Sequence, residues 1–349
     1  MDVPLRQRDR SGLEFLGSLQ HHAGGVLQPA AAARYEAAVP DQPAGLADRR
    51  RSVGTVLADH GPWLFDRFLT RWVAEEIYVR ALPAVEHGRE RIDAWLNAGG
   101  APGTLALDPG VEIPDYWNAG FHLTTGGWDG HDLMGVVTRD LGYEYVLAPG
   151  GVGAVRTGED ILDQRERVAR EAPRRDYRRI LEPGVGTGMF AHAVARVFPD
   201  AEFTGVDLSR TGLEYAHATA RDAGLPWRLI QAPAERTGLP DASFDLAAVY
   251  ILFHETPPKA TAAILRELFR VLEPGGDLVI GDVAPYDRHP AFRAVVLDWE
   301  TEHRGEPFWR SALQLDLPGL LREAGFTDVE AYGAGGGTYP WITRGHKAA

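Results

Sequence analysis

"RRILEPGVGTGMF", residues 178–190, starts as a short apolar run, turns through three alternating glycines and enters an amphipathic stretch. Gly184, Gly186 and Gly188 stand where a strand passes into a helix. Without side chains there, the backbone turns tightly and a ligand can approach the amino-terminal end of the helix. Two kinds of ligand use such a loop. A dinucleotide fold needs Gly-x-Gly-x-x-Gly so that a pyrophosphate rests on the helix end. Here Met189 holds the place of the third glycine, and a carboxylate, Glu182, lies two residues before the first. A negative side chain at a strand end opposes a pyrophosphate and suits an ammonium group.

Working outward, apolar runs alternate with amphipathic helical patterns from Arg178 onward: "RILEP", "GMFAHAVARVF", "EFTGVDL", "RTGLEYAHATARDAG", "WRLIQ", "FDLAAVYILFH", "PKATAAILRELFRVL" and "GDLVIGDV". Strand and helix alternating at this spacing predict crossover units that build a parallel sheet with helices on both faces. Ligands of such sheets bind outside the carboxyl ends of the strands. Nineteen residues after Gly188, in "FTGVDLS" (203–209), Asp207 is placed to accept hydrogen bonds from the hydroxyls of a ribose, with Leu208 beside it. A ligand with a ribose, an amino group and no phosphate describes S-adenosylmethionine.

The segment from about residue 178 to 283 resembles the class I S-adenosylmethionine-dependent methyltransferases. The matching stretches are "LEPGVGTG" (181–188), "GVDLS" (205–209), "LPDASFDLA" (239–247) and "RVLEPGGDLVIGD" (270–282). The resemblance implies an α/β fold: a Rossmann-like, seven-stranded, mostly parallel sheet with helices on both faces. It implies S-adenosylmethionine as cofactor, with Glu182 facing its methionine portion, the Gly184–Gly188 backbone lining it and Asp207 holding its ribose. One position departs from the pattern. Where relatives often carry an Asp for the adenine amino group, "LIQAPAERTGLP" has Pro233, which leaves adenine to backbone groups around Ala234 and Glu235 or to Gln231.

The first 150 residues lie outside the match. Between Asp59 and Asn97, Trp63, Leu64, Phe68, Leu69, Trp72, Val73 and Ile77 recur at helical spacing, so this part is expected to be mainly helical. "DPGVEIPDYWNAGFHLTTGGWDGHDLMG" (108–135) is too rich in glycine for a core element and too aromatic for a disordered linker. It is expected to form ordered loops with short helices. The expected division is an accessory or lid domain over 1–150 and a catalytic domain over 151–349.

Composition narrows the partners. With 36 Lys and Arg against 49 Asp and Glu, the 349-residue chain carries a formal charge of −13 and repels phosphate backbones and anionic lipid heads. The densest basic run, "RERVAREAPRRDYRR" (165–179), is interleaved with acids and reads as a solvated helix or linker. Neither nucleic acid nor membrane is expected as a partner. There is no cysteine, which excludes disulfides and thiolate chemistry. The start lacks the pattern of a signal peptide, so a cytoplasmic location is expected. A small-molecule substrate is the expected partner, and a homodimer is left open.

Methyl transfer to a neutral acceptor needs positioning, exclusion of water and removal of a proton. "YILFHETPP" (250–258) is expected to end the fourth strand of the catalytic domain beside the departing methyl, which makes His254 the candidate base and Glu255 its companion. A structural histidine and a helix-start carboxylate are the plainer readings of the pair. His303 is a third catalytic candidate, in "DWETEHRGEPFW" (298–309), with Trp299 as a wall of the acceptor site. Trp117, His122, Trp128 and Tyr250 complete the candidate acceptor residues, the first three in the glycine-rich segment that suits a lid. His254, Glu255 and His303 also form a donor set for a metal, but adjacent residues at a strand end diverge, and no metal is expected. The leading expectation is a methyltransferase of secondary metabolism acting on oxygen, nitrogen or carbon. Its rival is a protein of the same fold that binds the cofactor without transferring methyl. A nicotinamide-dependent oxidoreductase is disfavoured by Glu182 and Met189.

Overall fold

The computed structural model describes residues 3–124, 126–148 and 160–349. Its eight strands are β1 (Thr104–Ala106), β2 (Arg179–Pro183), β3 (Glu202–Asp207), β4 (Arg228–Gln231), β5 (Phe244–Tyr250), β6 (Leu272–Asp282), β7 (Thr327–Gly333) and β8 (Trp341–His346). They form one sheet in the order β1-β4-β3-β2-β5-β6-β8-β7. β1 to β6 pair in parallel, and β8 runs antiparallel to both β6 and β7. All seven side chains of β5 are buried, as a strand covered by helices on both faces requires. From β2 the chain moves outward through β3 and β4, whereas β5 and β6 lie on its other side. A crevice therefore opens at the carboxyl ends of the neighbours β2 and β5.

Strands β2 to β6 follow the order of the apolar runs read from the sequence, and β7 and β8 bring the number from β2 onward to the seven expected. The eighth comes from the amino-terminal region: β1 pairs with β4, with Thr104 opposite Arg228. A run of three residues carries too little alternation to stand out as a strand.

Helices Gln7–His22, Gln28–Ala38, Leu46–Val56, Gly61–Glu86 and Arg89–Leu96 account for the helical character of the first hundred residues. Trp63, Leu69, Val73 and Ile77 of the long helix are buried, whereas Leu64 and Phe68 of the same periodic set are exposed. The glycine-rich segment has short 3-10 turns at Asp115–Asn118, Phe121–Leu123 and Gly127–Asp129, as expected. It then enters a helix from Met134 that continues as a π-helix over Val137–Leu147, with Met134, Val136, Val137, Leu141 and Val146 buried.

The expected division at residue 150 lies outside the described residues. The two parts on either side of it share hydrophobic cores. Tyr215, on helix Arg210–Asp222, packs among Val73, Ile77 and Leu141, and Phe292 meets Trp63 edge-on at 5.5 Å between ring centroids. Asp129 adds a polar tether: its carboxylate accepts from the backbone amides of Arg210 and Thr211 at 3.1 Å each and from the Ser209 and Thr211 hydroxyls at 2.8 and 2.9 Å. A carboxylate at a helix amino terminus satisfies amides that have no partner within the helix. Among the described residues, no helix is long and apolar enough to cross a membrane.

Candidate active site

The loop after β2 takes positive φ at Gly184, Gly186 and Gly188 (68°, 49° and 78°), which explains glycine at alternate positions. The turn brings the Gly186 amide to 2.7 Å from Asp207 Oδ2, while the Ser209 amide donates to Oδ1, also at 2.7 Å. Asp207 ends β3, so one carboxylate fixes both loops, and each oxygen keeps a lone pair for a ligand. Glu182, Gly184, Val185, Gly186, Asp207, Leu208, Ala232 and Ala234 all line one cavity of about 340 Å³. Two expected cofactor residues do not. Gly188 packs against Trp227 and Ala216 as the helix starts, and Glu235 turns aside to accept from the Tyr116 hydroxyl at 2.7 Å. Gln231 is also engaged elsewhere, donating to the Leu208 carbonyl and accepting from the Asp108 amide.

Glu182 is 2% exposed, and its Oε2 has no hydrogen-bond partner. Burial, then the nearby Asp207 carboxylate, push its pKa well above the ordinary carboxylate range. Burial likewise raises Asp207, although the Ser209 and Gly186 amides oppose the rise, and it reaches about 6. A buried carboxylate with no partner is costly unless a cation or donor reaches it. The ammonium of S-adenosylmethionine is such a group, and the adjacent Asp207 offers acceptors for a ribose, so these residues fit the cofactor.

Burial makes Glu182 keep its proton to higher pH in the folded protein. The folded protein holds this proton more tightly than the unfolded chain, so stability falls as pH rises from the unfolded value through the folded one. Glu182→Gln is therefore expected to raise the melting temperature of the unliganded protein at pH 8 and to leave it nearly unchanged at pH 5. It should also weaken S-adenosylmethionine binding by about tenfold or more, the scale of a hydrogen bond to a charged group. Equal melting temperatures at pH 8 together with equal affinity would show that Glu182 has no such role.

On the other side of the cavity the strand stops sooner than its apolar run suggested. β5 ends at Tyr250, Ile251 takes a φ of 48°, and Phe253–Glu255 form a 3-10 turn that carries His254 and Glu255. Asp282, the last residue of β6, holds this turn. Its Oδ2 accepts from the Phe253 amide at 3.0 Å, and its Oδ1 accepts from Val283 at 2.8 Å and faces His254 Nδ1 at 2.6 Å. His254 Nε2 lies 3.6 Å from Glu255 Oε1, the same oxygen faces His122 Nε2 at 3.3 Å, and His122 Nδ1 lies 3.0 Å from Glu306 Oε1. Carboxylate and imidazole thus alternate through Asp282, His254, Glu255, His122 and Glu306, and all but Asp282 line the cavity.

The charges in this chain support one another. Burial opposes a charge on His254, but Asp282 and then Glu255 outweigh it and raise its pKa well above the usual value. His122 is raised in the same way by Glu306 and Glu255 against its burial. Burial would raise Glu255, yet the two imidazoles hold it below the ordinary range. The ligand atoms of His122, Glu255 and Glu306 lie within 4.8 Å of one another, but each nitrogen of His122 already faces a carboxylate. One imidazole cannot turn both nitrogens to a single metal, so the arrangement reads as a relay of alternating charge.

His122 reaches this position through its backbone. It has a φ of 50°, and its amide donates to the Gly305 carbonyl at 2.7 Å. A Cβ at Gly305 would stand 2.4 Å from the Leu123 nitrogen, so only glycine lets the two loops meet.

Two other expected residues stand outside the cavity. His303 and Trp299 are one turn apart on helix Ala291–His303, with their rings 3.7 Å apart between centroids and tilted by 36°, and Trp299 lies under the Arg67 guanidinium. The face of this helix that looks into the cavity carries Glu300, followed by Arg304 just past its end. The metal donor set His254, Glu255 and His303 is therefore not assembled. Trp117, His122, Trp128 and Tyr250 line the cavity, joined by Tyr78, Phe121 and Trp309. Tyr78 lies on the long amino-terminal helix with no motif around it. Asp282 was visible only as the last letter of a matching stretch.

Residues 180–276 match the family described as Methyltransferase domain. The chain is 34% identical over 124 residues to the demethylmenaquinone methyltransferase of Thermus thermophilus, covering 36% of this chain and 56% of that protein. It is 28% identical over 192 residues to the ubiquinone/menaquinone biosynthesis C-methyltransferase UbiE of Vibrio campbellii, covering 50% and 73%. To the fatty-acid O-methyltransferase of Mycolicibacterium smegmatis it is 32% identical over 121 residues, covering 35% and 43%. The chain thus spans about half the length of the Thermus and Mycolicibacterium relatives.

Proposed function

We propose that the protein, whose residues 180–276 match the family described as Methyltransferase domain, is a class I S-adenosylmethionine-dependent methyltransferase that methylates a small, mainly apolar acceptor whose proton is taken at His254. The observation that carries this reading is that Glu182 and Asp207 share one cavity with His254, Glu255 and His122. When bound, S-adenosylmethionine supplies an electrophilic methyl group on a sulfonium. The chain's own residues do the rest. Glu182 takes the ammonium and Asp207 the ribose. Trp117, Trp128, Phe121, Tyr78 and Trp309 give the acceptor an aromatic wall and keep water out.

His254 acts as the base. With its Nδ1–H given to Asp282, the neutral tautomer keeps a lone pair on Nε2, which accepts the acceptor's proton. Glu255 then stabilises the imidazolium, and the His122–Glu306 pair holds Glu255 in place. An acceptor with an acidic hydroxyl, amine or ring carbon suits such a base. The relatives act at carbon in one case and at oxygen in another, by their names, which leaves the acceptor atom to experiment. The net charge of −13 and the enclosed aromatic site favour a small metabolite over nucleic acid, and we place the protein among cytoplasmic enzymes of secondary metabolism.

The test is release of S-adenosylhomocysteine by the purified protein with a panel of phenols, hydroxyquinones, fatty acids and aryl amines. Turnover with at least one apolar aromatic class, beyond the rate without acceptor, is expected. Tight cofactor binding with no turnover on any class would favour a protein that binds the cofactor without transferring methyl.

A further inference from the structure

Arg165 begins the basic run that reads as a solvated surface, yet it is 2% exposed and lines the cavity. It sits on helix Ile161–Ala169, just before β2. Its Nη1 donates to Gln164 Oε1 at 3.0 Å and to the Ile161 carbonyl at 3.4 Å, and its Nη2 donates to the Tyr143 hydroxyl at 3.4 Å. Its Nε is buried without a partner. None of these contacts is a carboxylate. Arg67 and Arg304, also buried, each have a carboxylate close by, Asp66 and Glu300, and buried Arg49 has its Nε and Nη1 taken up by the Pro43, Tyr286 and His289 carbonyls, whereas the Nε of Arg165 is left open.

Burying a guanidinium without an anion is costly, and a structure keeps it only where something offsets the cost. Two ring faces do part of this: Tyr143 and Tyr250 lie with their centroids 5.5 and 5.0 Å from the Arg165 Cζ. The Tyr250 hydroxyl is 2.6 Å from that of Tyr339, which holds the Tyr250 ring in place. A planar cation held by aromatic faces, with a free N–H, is preorganised for a planar, bidentate anion.

We propose that Arg165 is the carboxylate receptor of this cavity, binding a small organic acid through its guanidinium edge. The carboxylate has two sources in the methyltransferase reading, on which the choice between them rests: the amino-acid tail of the cofactor, or the acceptor itself. Glu182 is acidic and Arg165 basic, so one cavity presents partners for both charges of an amino acid.

The experiment compares the full-length protein with Arg165→Gln by calorimetry, using S-adenosylhomocysteine, 5′-methylthioadenosine and benzoate as probes. 5′-Methylthioadenosine keeps the nucleoside and lacks the amino-acid tail. If the cofactor supplies the carboxylate, the variant binds S-adenosylhomocysteine about tenfold to a hundredfold more weakly and 5′-methylthioadenosine equally well. If the acceptor supplies it, the variant keeps S-adenosylhomocysteine affinity and loses the binding of benzoate to the S-adenosylhomocysteine complex. Arg165→Lys, which keeps the charge and loses the fork, should fall between the two proteins and serves in place of Arg165→Gln if that variant does not fold. Equal affinities of wild type and variant for all three probes would overturn the proposal. If neither nucleoside binds the wild type, the methyltransferase reading fails, and benzoate alone decides the role of Arg165.

Discussion

Asp207→Ala is expected to lower the affinity for S-adenosylmethionine by about a hundredfold or more. Two effects combine. The ribose loses a charged acceptor, worth about 1.5–3 kcal/mol for each hydrogen bond to it. The Gly186 and Ser209 amides, both at 2.7 Å from the carboxylate, lose the group that ties the glycine loop to the end of β3. Loss of those ties makes the loop pay ordering entropy on binding. Asp207→Asn separates the contributions, because its single carbonyl oxygen can serve one amide only. It is expected to fall between wild type and Asp207→Ala. Calorimetric titration gives the affinities, and a loss of less than about threefold in Asp207→Ala would remove Asp207 from the cofactor site.

His254→Ala is expected to lower kcat by about 10²–10⁴-fold, the range of a positioned general base, while cofactor affinity changes little. A structural histidine would instead lower the melting temperature and affect binding and turnover together. The pH profile gives an independent sign. A base must be neutral to accept a proton, and the Asp282 and Glu255 carboxylates raise the pKa of His254. The rate should therefore climb with pH beyond the point where an ordinary imidazole has finished titrating. Asp282→Asn removes the larger of the two charges that raise it. It should shift the rising limb to lower pH and reduce the plateau, since the base becomes weaker and its tautomer is no longer fixed. A rising limb unmoved in Asp282→Asn, or full turnover in His254→Ala, would assign proton removal to another group.

The glycine-loop side of the cavity was legible because its residues are local. A glycine loop, a carboxylate two residues before it and an acid at the next strand end lie on consecutive elements, and positive φ at Gly184, Gly186 and Gly188 leaves few other residues possible there. The acceptor side was only half legible. His254 and Glu255 could be read because a strand precedes them, but the partners of Glu255 come from positions 122 and 306. Their meeting depends on a left-handed turn and on the close approach that Gly305 allows. Helix phase misplaced His303 and Trp299, since in a cluster of polar and aromatic residues the sequence does not say which stripe faces inward. Glu300, between them, lines the cavity instead. Arg165 was hidden by its neighbours, because a basic run reads as surface unless burial is known residue by residue.

An unpartnered Glu182 beside Asp207 suits a nucleoside bearing an ammonium group and no phosphate. Calorimetric titration of the protein with S-adenosylmethionine and, separately, with NADH separates this ligand from a dinucleotide. Saturable binding of one S-adenosylmethionine per chain, weakened in Glu182→Gln, with no heat from NADH, is the expected result. Saturable binding of NADH with no response to S-adenosylmethionine would instead assign the cavity to a dinucleotide.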